Sequence, residues 1–236
     1  MKSRWAKRIL LALLTVLVIL SIPVVLELYA RSKARADLEK IIAELDRTDP
    51  RWRLEDIEAD RQQVPVDDNS ADTVVAAHRL LPKRWAPKIQ SELDKIPPPI
   101  ILRDDQAAQL AGELKPLEAA LKIARKLKDQ PVGRYKVNFS PDYFGTPFEN
   151  QHKVREVGWF LDFDVSLFLH RKEMEKAWNS NQALLNAARS LGDEPFLMSM
   201  YIRKAIEEMT IRSLERAMAH GEFQLPHLEE DRKSVV

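Results

Sequence analysis

VREVGWFLDFDVSLFLHRKEMEKAWNSNQALLNAARSLGDEPFL (Val154–Leu197) decides the fold. Between Trp159 and Leu191 it holds neither glycine nor proline. Val154, Val157, Leu161, Val165 and Leu169 recur at the three- and four-residue spacing of one helical face. A single helix through the whole stretch would be far longer than the usual three or four turns. The economical reading is a helical hairpin that breaks near Arg171–Glu175. Gly192 suits the left-handed position after a helix, and Asp193 and Pro195 suit the cap and first turn of the next. That next helix carries Phe196, Met200, Ile202, Ile206, Met209, Leu214 and Met218, and Gly221 ends it.

Working upstream, EN before this stretch is preceded by VGRYKVNFSPDYFGTPF (Val132–Phe148), which reads as non-helical. Arg134–Phe139 alternates with period two, as a short strand or extended segment would. Tyr135, Phe139, Tyr143, Phe144 and Phe148 gather there. Aromatics in such a loop either line a pocket, with Arg134, Asp142, Glu149 and His152 as polar company, or plug the end of a helical bundle. Before it, Leu110, Leu114, Leu117, Leu121, Ala124 and Leu127 form another helical stripe, which Pro116 must kink or break. Asn69 or Ser70 caps a helix bearing Val74 and Val75. In TDPRWRLEDIEADR (Thr48–Arg61), Asp49 and Pro50 suit a helix start, and Trp52 is either an anchor for a ligand or partner, or an aromatic pinning the segment down.

At the front, MKSRWAKRILLALLTVLVILSIPVVLELYARSKAR runs uncharged for 18 residues from Ile9 to Leu26, about 27 Å as a helix at about 1.5 Å per residue. Trp5 and Tyr29 extend it into both interfaces of a bilayer. The run exceeds a usual signal-peptide core, and no small-x-small cleavage site follows it, so it reads as an uncleaved anchor. Four Lys or Arg precede the span and three follow it closely, favouring a cytoplasmic N-terminus and an extracytoplasmic body. Leu38, Ile41, Ile42 and Leu45 continue it as an amphipathic stalk. The expected organisation is a cytoplasmic end at 1–8, an anchor at 9–29, a stalk at 30–48 and a helical body at 49–222. The fold class is all-α, an irregular bundle of antiparallel hairpins, weakly like tetratricopeptide packing over 151–220.

Composition narrows function by exclusion. With 37 basic and 36 acidic side chains the chain is nearly neutral and lacks the concentrated basic face that nucleic acid requires. It has no cysteine, hence no disulfide, thiolate metal site or thiol catalysis. Six glycines leave no phosphate-cradling loop or nucleophile elbow. Glu149 and His152 have the Glu-x-x-His spacing of di-iron bundles, but one copy at a helix start is better read as a capping pair. Asp162 and Asp164 are read as solvated positions. No catalytic residue, metal ligand or cofactor is nominated. The chain is therefore expected to be an anchored interaction or scaffold protein with the membrane and a protein as partners. The alternative is a ligand-binding sensor or hydrolase using 134–148, and the residues to watch are Trp52, Arg134, Tyr135, Phe139, Tyr143, Phe144, Phe148 and His152.

AELDRTDPRWRLEDIEADRQQVP (Ala43–Pro65), NSA (69–71), LLPKRW (80–85) and LLNAARSLGDEP (Leu184–Pro195) together resemble a family of N-terminally anchored helical proteins associated with planctomycete bacteria. The resemblance implies membrane attachment and an all-helical body, and transfers no activity, cofactor or site residue. Where similar proteins tend to turn at Gly-Asp before the LLNAARS helix, this chain has RKEMEK (171–176). Its ending also differs. Residues 223–230 look like a helix start, whereas DRKSVV (231–236) is the one-frame translation of the sequencing adapter GATCGGAAGAGCGTCGTG. The expectation is that natural sequence runs only to about Glu230 here and continues differently in the gene.

Overall fold

In a computed structural model of the chain, the backbone is described for residues 2–83, 85, 87–93, 95–140, 145–147 and 149–221, and the side chains for the same residues apart from 2–13 and 18. The expectations for residues 223–236, and for Asp142, Tyr143, Phe144 and Phe148, lie outside the described residues. The fold is all-α, without a strand among the described residues. The chain divides into two units, residues 1–59 and 60–236.

The first unit is dominated by α1 (Lys2–Thr48), one helix that continues through Pro23 without interruption. It is long and apolar enough to cross a membrane, and none of its apolar window is buried by protein. The stalk stripe is half realised, since Ile42 and Leu45 are partly covered while Leu38 and Ile41 stay exposed. Asp49 and Pro50 do not start the next helix. They form a turn closed by Trp52 N–H on the Asp49 carbonyl, and α2 spans Leu54–Asp60. Trp52 is fixed at this corner. Its Nε1 donates to Asp46 Oδ1 at 2.9 Å, and the Arg53 guanidinium lies 5.1 Å from its ring centre. Trp52 thus acts as a local pin.

The second unit is built on α7 (Glu149–His170), which forms a hairpin with α8 (Met174–Arg189), followed by α9 (Leu197–His220). The break falls at residues 171–173, where Lys172 has φ 59°. On its other side α7 meets α3 (Ser70–His78), α5 (Asp104–Leu114) and α6 (Glu118–Ala124). The short α4 (Gln90–Leu93) and the loop after it complete the unit. Pro116 sits in a 3₁₀ turn between α5 and α6, the break its missing N–H demands. The whole Leu110–Leu127 stripe is buried.

α7 is more enclosed than one stripe implies. Phe160, Leu161, Phe163, Val165 and Asp164 are all buried, so elements cover it nearly all round. Gly158 lets α9 approach closely, because a Cβ there would meet Ile206 at 3.3 Å. Trp85 packs edge-on against Phe160 with centroids 6.1 Å apart.

Candidate functional site

The extended segment after α6 comes first. Ser70 donates its backbone N–H (3.0 Å) and hydroxyl (2.7 Å) to the Val132 carbonyl. Asn69, whose side chain caps α3, also accepts from Arg134 N–H at 2.8 Å and donates to the Arg134 carbonyl at 3.1 Å. Arg134 Nη1 donates to the carbonyls of Arg61 and Gln62 at 3.1 and 3.3 Å. Arg61 in return donates to the Tyr135 carbonyl at 3.0 Å. Tyr135 is buried with its hydroxyl 3.3 Å from Ser190 Oγ, and burial pushes that phenol well above its ordinary pKa. Phe139 packs on Phe196 at 5.6 Å. Residues 132–139 are thus a strap bonded across the ends of α3 and α8.

Two glycines make that crossing. A Cβ on Gly133 would lie 2.4 Å from Ser70 Oγ and 2.7 Å from Ser190 Cα, and one on Gly192 would lie 2.4 Å from the Gly133 carbonyl oxygen. Gly192 has φ 58°, as its place after a helix suggests. Asp193 does not cap α9. It accepts from Arg61 Nε at 2.8 Å and Gln62 N–H at 2.9 Å, tying the same crossing together. Burial raises its carboxyl pKa, but those two donors and the Arg61 charge outweigh burial and hold it below the usual carboxylate value.

The polar residues singled out near the strap are engaged separately. Glu149 is exposed and pairs with Lys153 at 3.9 Å. His152 is exposed and its Nδ1 accepts from Arg155 at 2.6 Å. His78 pairs with Glu156 at 2.9 Å, and His170 Nδ1 lies 3.1 Å from the Leu102 carbonyl. Among the described residues no three His, Asp or Glu side chains gather as metal ligands. Asp164 corrects the solvated reading. It is 2% exposed and takes two hydrogen bonds from Arg125 (2.8 and 2.6 Å) and one from Ser180 (2.6 Å). Asp162 is partly buried and accepts from Ser213. A second buried cluster, Gln151 donating to Glu194 (2.7 Å) and Ser199 (2.8 Å), also carried no sequence signal.

The surface with the most unused binding capacity lies elsewhere. Along α9, Leu197, Met200, Tyr201, Ile211 and Met218 share one face, and each is more than half exposed. Beside this face α8 and α9 form a groove of about 480 Å³, lined among others by Trp178, Leu185, Ile211 and Leu214. A further hollow of about 550 Å³ over Leu197, Met200 and Tyr201 shares Arg203 and Glu207 with it. Arg203 is held by Glu207 (2.9 Å) and the Gly192 carbonyl (3.1 Å), which ties the groove wall to the strap crossing. Asn181 also lines the groove. It is 5% exposed, and its buried Oδ1 has no partner among the described residues. A buried acceptor without a donor costs about 1–3 kcal/mol. Trp178 and Asn181 stand one helical turn apart on α8, a spacing visible in the sequence but indistinguishable there from ordinary core positions.

No protein-family model, curated protein or solved structure matches this chain.

Proposed function

We propose that this chain is a single-pass interaction protein of the bacterial cytoplasmic membrane, whose helical body receives an amphipathic helix of a partner protein in the α8–α9 groove. Residues 9–29 form the anchor, with the N-terminus cytoplasmic and the body outside. The observation that carries the reading is the α9 face. An apolar stripe of this kind lies along a 24-residue helix, about 36 Å at about 1.5 Å per residue, beside a groove with an unpaired acceptor. Its length and straightness suit a helix laid in a groove, with apolar anchors at three- and four-residue spacing. A partner Asn, Gln or Lys would supply the donor that Asn181 Oδ1 requires. The engagement of Arg134, Tyr135 and Phe139 in the strap favours this reading over a sensor or hydrolase at 134–148.

The test places a photo-crosslinking residue at Ile211 or Met200 of the full chain in its native membrane, with exposed Lys126 as control. A discrete adduct from the two groove positions, lost when Leu185→Asp is added, is the expected result. Equal crosslinking from Lys126, or an adduct indifferent to Leu185→Asp, overturns the proposal.

A further inference from the structure

A second, smaller cavity lies on the opposite side of α9. Asp162 and Ser166 of α7, Leu93 of α4, and Met209, Arg212, Ser213 and Arg216 of α9 enclose about 30 Å³. Arg216 is 8% exposed. Its Nη2 donates to the Ile96 carbonyl at 3.1 Å, binding the loop after α4 to α9. Its Nη1 is buried and has no partner among the described residues. A guanidinium cannot escape this by losing its proton, so an unmatched N–H there must find an acceptor. The charges around the cavity are two cations against one carboxylate. Asp162 is already drawn on by the Ser213 hydroxyl. Burial, and next the Arg212 charge against the pull of Asp162, lower the Arg216 pKa, the direction expected of an under-compensated cation.

We propose that this cavity is a binding site for one small monovalent anion of chloride size, held by Arg216 Nη1. The size of the space sets the class of ligand. A water-sized occupant takes about 10–15 Å³ by this measure, so the cavity holds one halide or two waters and is too small for the four oxygens of phosphate or sulfate. An anion there balances the charge and completes the guanidinium's hydrogen bonds. It thereby fastens α7, α9 and the loop carrying Ile96 to one another. This site stands apart from the groove and does not depend on the proposed docking.

The test is ³⁵Cl NMR line width with the full chain in detergent. The expected result is a saturable excess broadening that bromide displaces and gluconate does not. Arg216→Met abolishes it. Ser166→Val, which fills the cavity and leaves Arg216 in place, also abolishes it while keeping the parental circular dichroism. If the Arg216 variant misfolds, Ser166→Val alone decides the matter. No excess broadening in the parent, meaning that water alone occupies the cavity, overturns the proposal. So does broadening that Ser166→Val leaves unchanged.

Discussion

Replacing Gly133 by alanine puts one methyl group where the strap crosses the ends of α3 and α8. The new Cβ would sit 2.4 Å from Ser70 Oγ, 2.7 Å from Ser190 Cα and 2.8 Å from the Ser190 carbonyl oxygen. The Ser70 hydroxyl could swing aside, though it would give up its bond to Val132. Ser190 presents backbone, which cannot. Overpacking of this kind costs about 1–3 kcal/mol, and backbone contacts place this site at the upper end. Displacing the strap would also weaken the reciprocal Asn69–Arg134 bonds, worth about 1 kcal/mol each. A loss of about 3 kcal/mol is expected, which for a body of this size lowers Tm by about 6–12 °C. Gly112→Ala is the matched control. It lies in α5 with open space around its Cβ, and should gain up to about 1 kcal/mol from helix propensity. Both are read by thermal melting of the full chain in detergent, followed by circular dichroism. A Gly133→Ala chain that melts with the parent would refute the account of the strap as a fixed crossing.

Other consequences follow from single residues. Lys172 holds φ 59° in the α7–α8 turn, where a side chain costs about 1 kcal/mol or more, so Lys172→Gly should raise the urea midpoint. Asp164→Ala strands Arg125 and Ser180. About 3 kcal/mol should be lost, the lower end for a broken buried pair because the Arg125 side chain is 38% exposed and can rehydrate. Asp193 has a folded pKa below its unfolded value of about 3.9, so its stabilising contribution is complete above that pH and vanishes as pH falls through the folded value. Asp193→Asn should accordingly flatten the acid limb of a stability–pH curve below about pH 4 and leave its shape near neutrality unchanged.

What could be read from the sequence was local. The α7–α8 break, the left-handed Gly192, the Asn69 cap and the Pro116 interruption each depend on a few neighbouring residues, and each stands where its chemistry put it. Asp193 and Asp49 looked like caps by the same local rules, but Arg61 claimed the first from far along the chain, and a tight turn took the second. Asp164 looked solvated because its partners, Arg125 and Ser180, lie on other elements. The aromatic content of 134–148 announced a special segment. It could not show that Tyr135 and Phe139 face inward to hold a strap, since that depends on Ser190 and Phe196. The groove was illegible for a related reason. Trp178, Asn181 and Leu214 pattern as core, and only the packing of α8 beside α9 leaves them lining an open surface.

The most direct measurement uses the absence of native cysteine, which makes any introduced thiol a clean reporter. Lys126→Cys and Ile211→Cys chains are treated in intact cells, and again after purification in detergent, with a membrane-impermeant maleimide. The account predicts rapid labelling of position 126 in cells, protection of position 211 there, and labelling of both once the partner is removed. Equal labelling of 126 and 211 in cells would contradict an occupied groove, and labelling of neither until lysis would contradict a body outside the membrane.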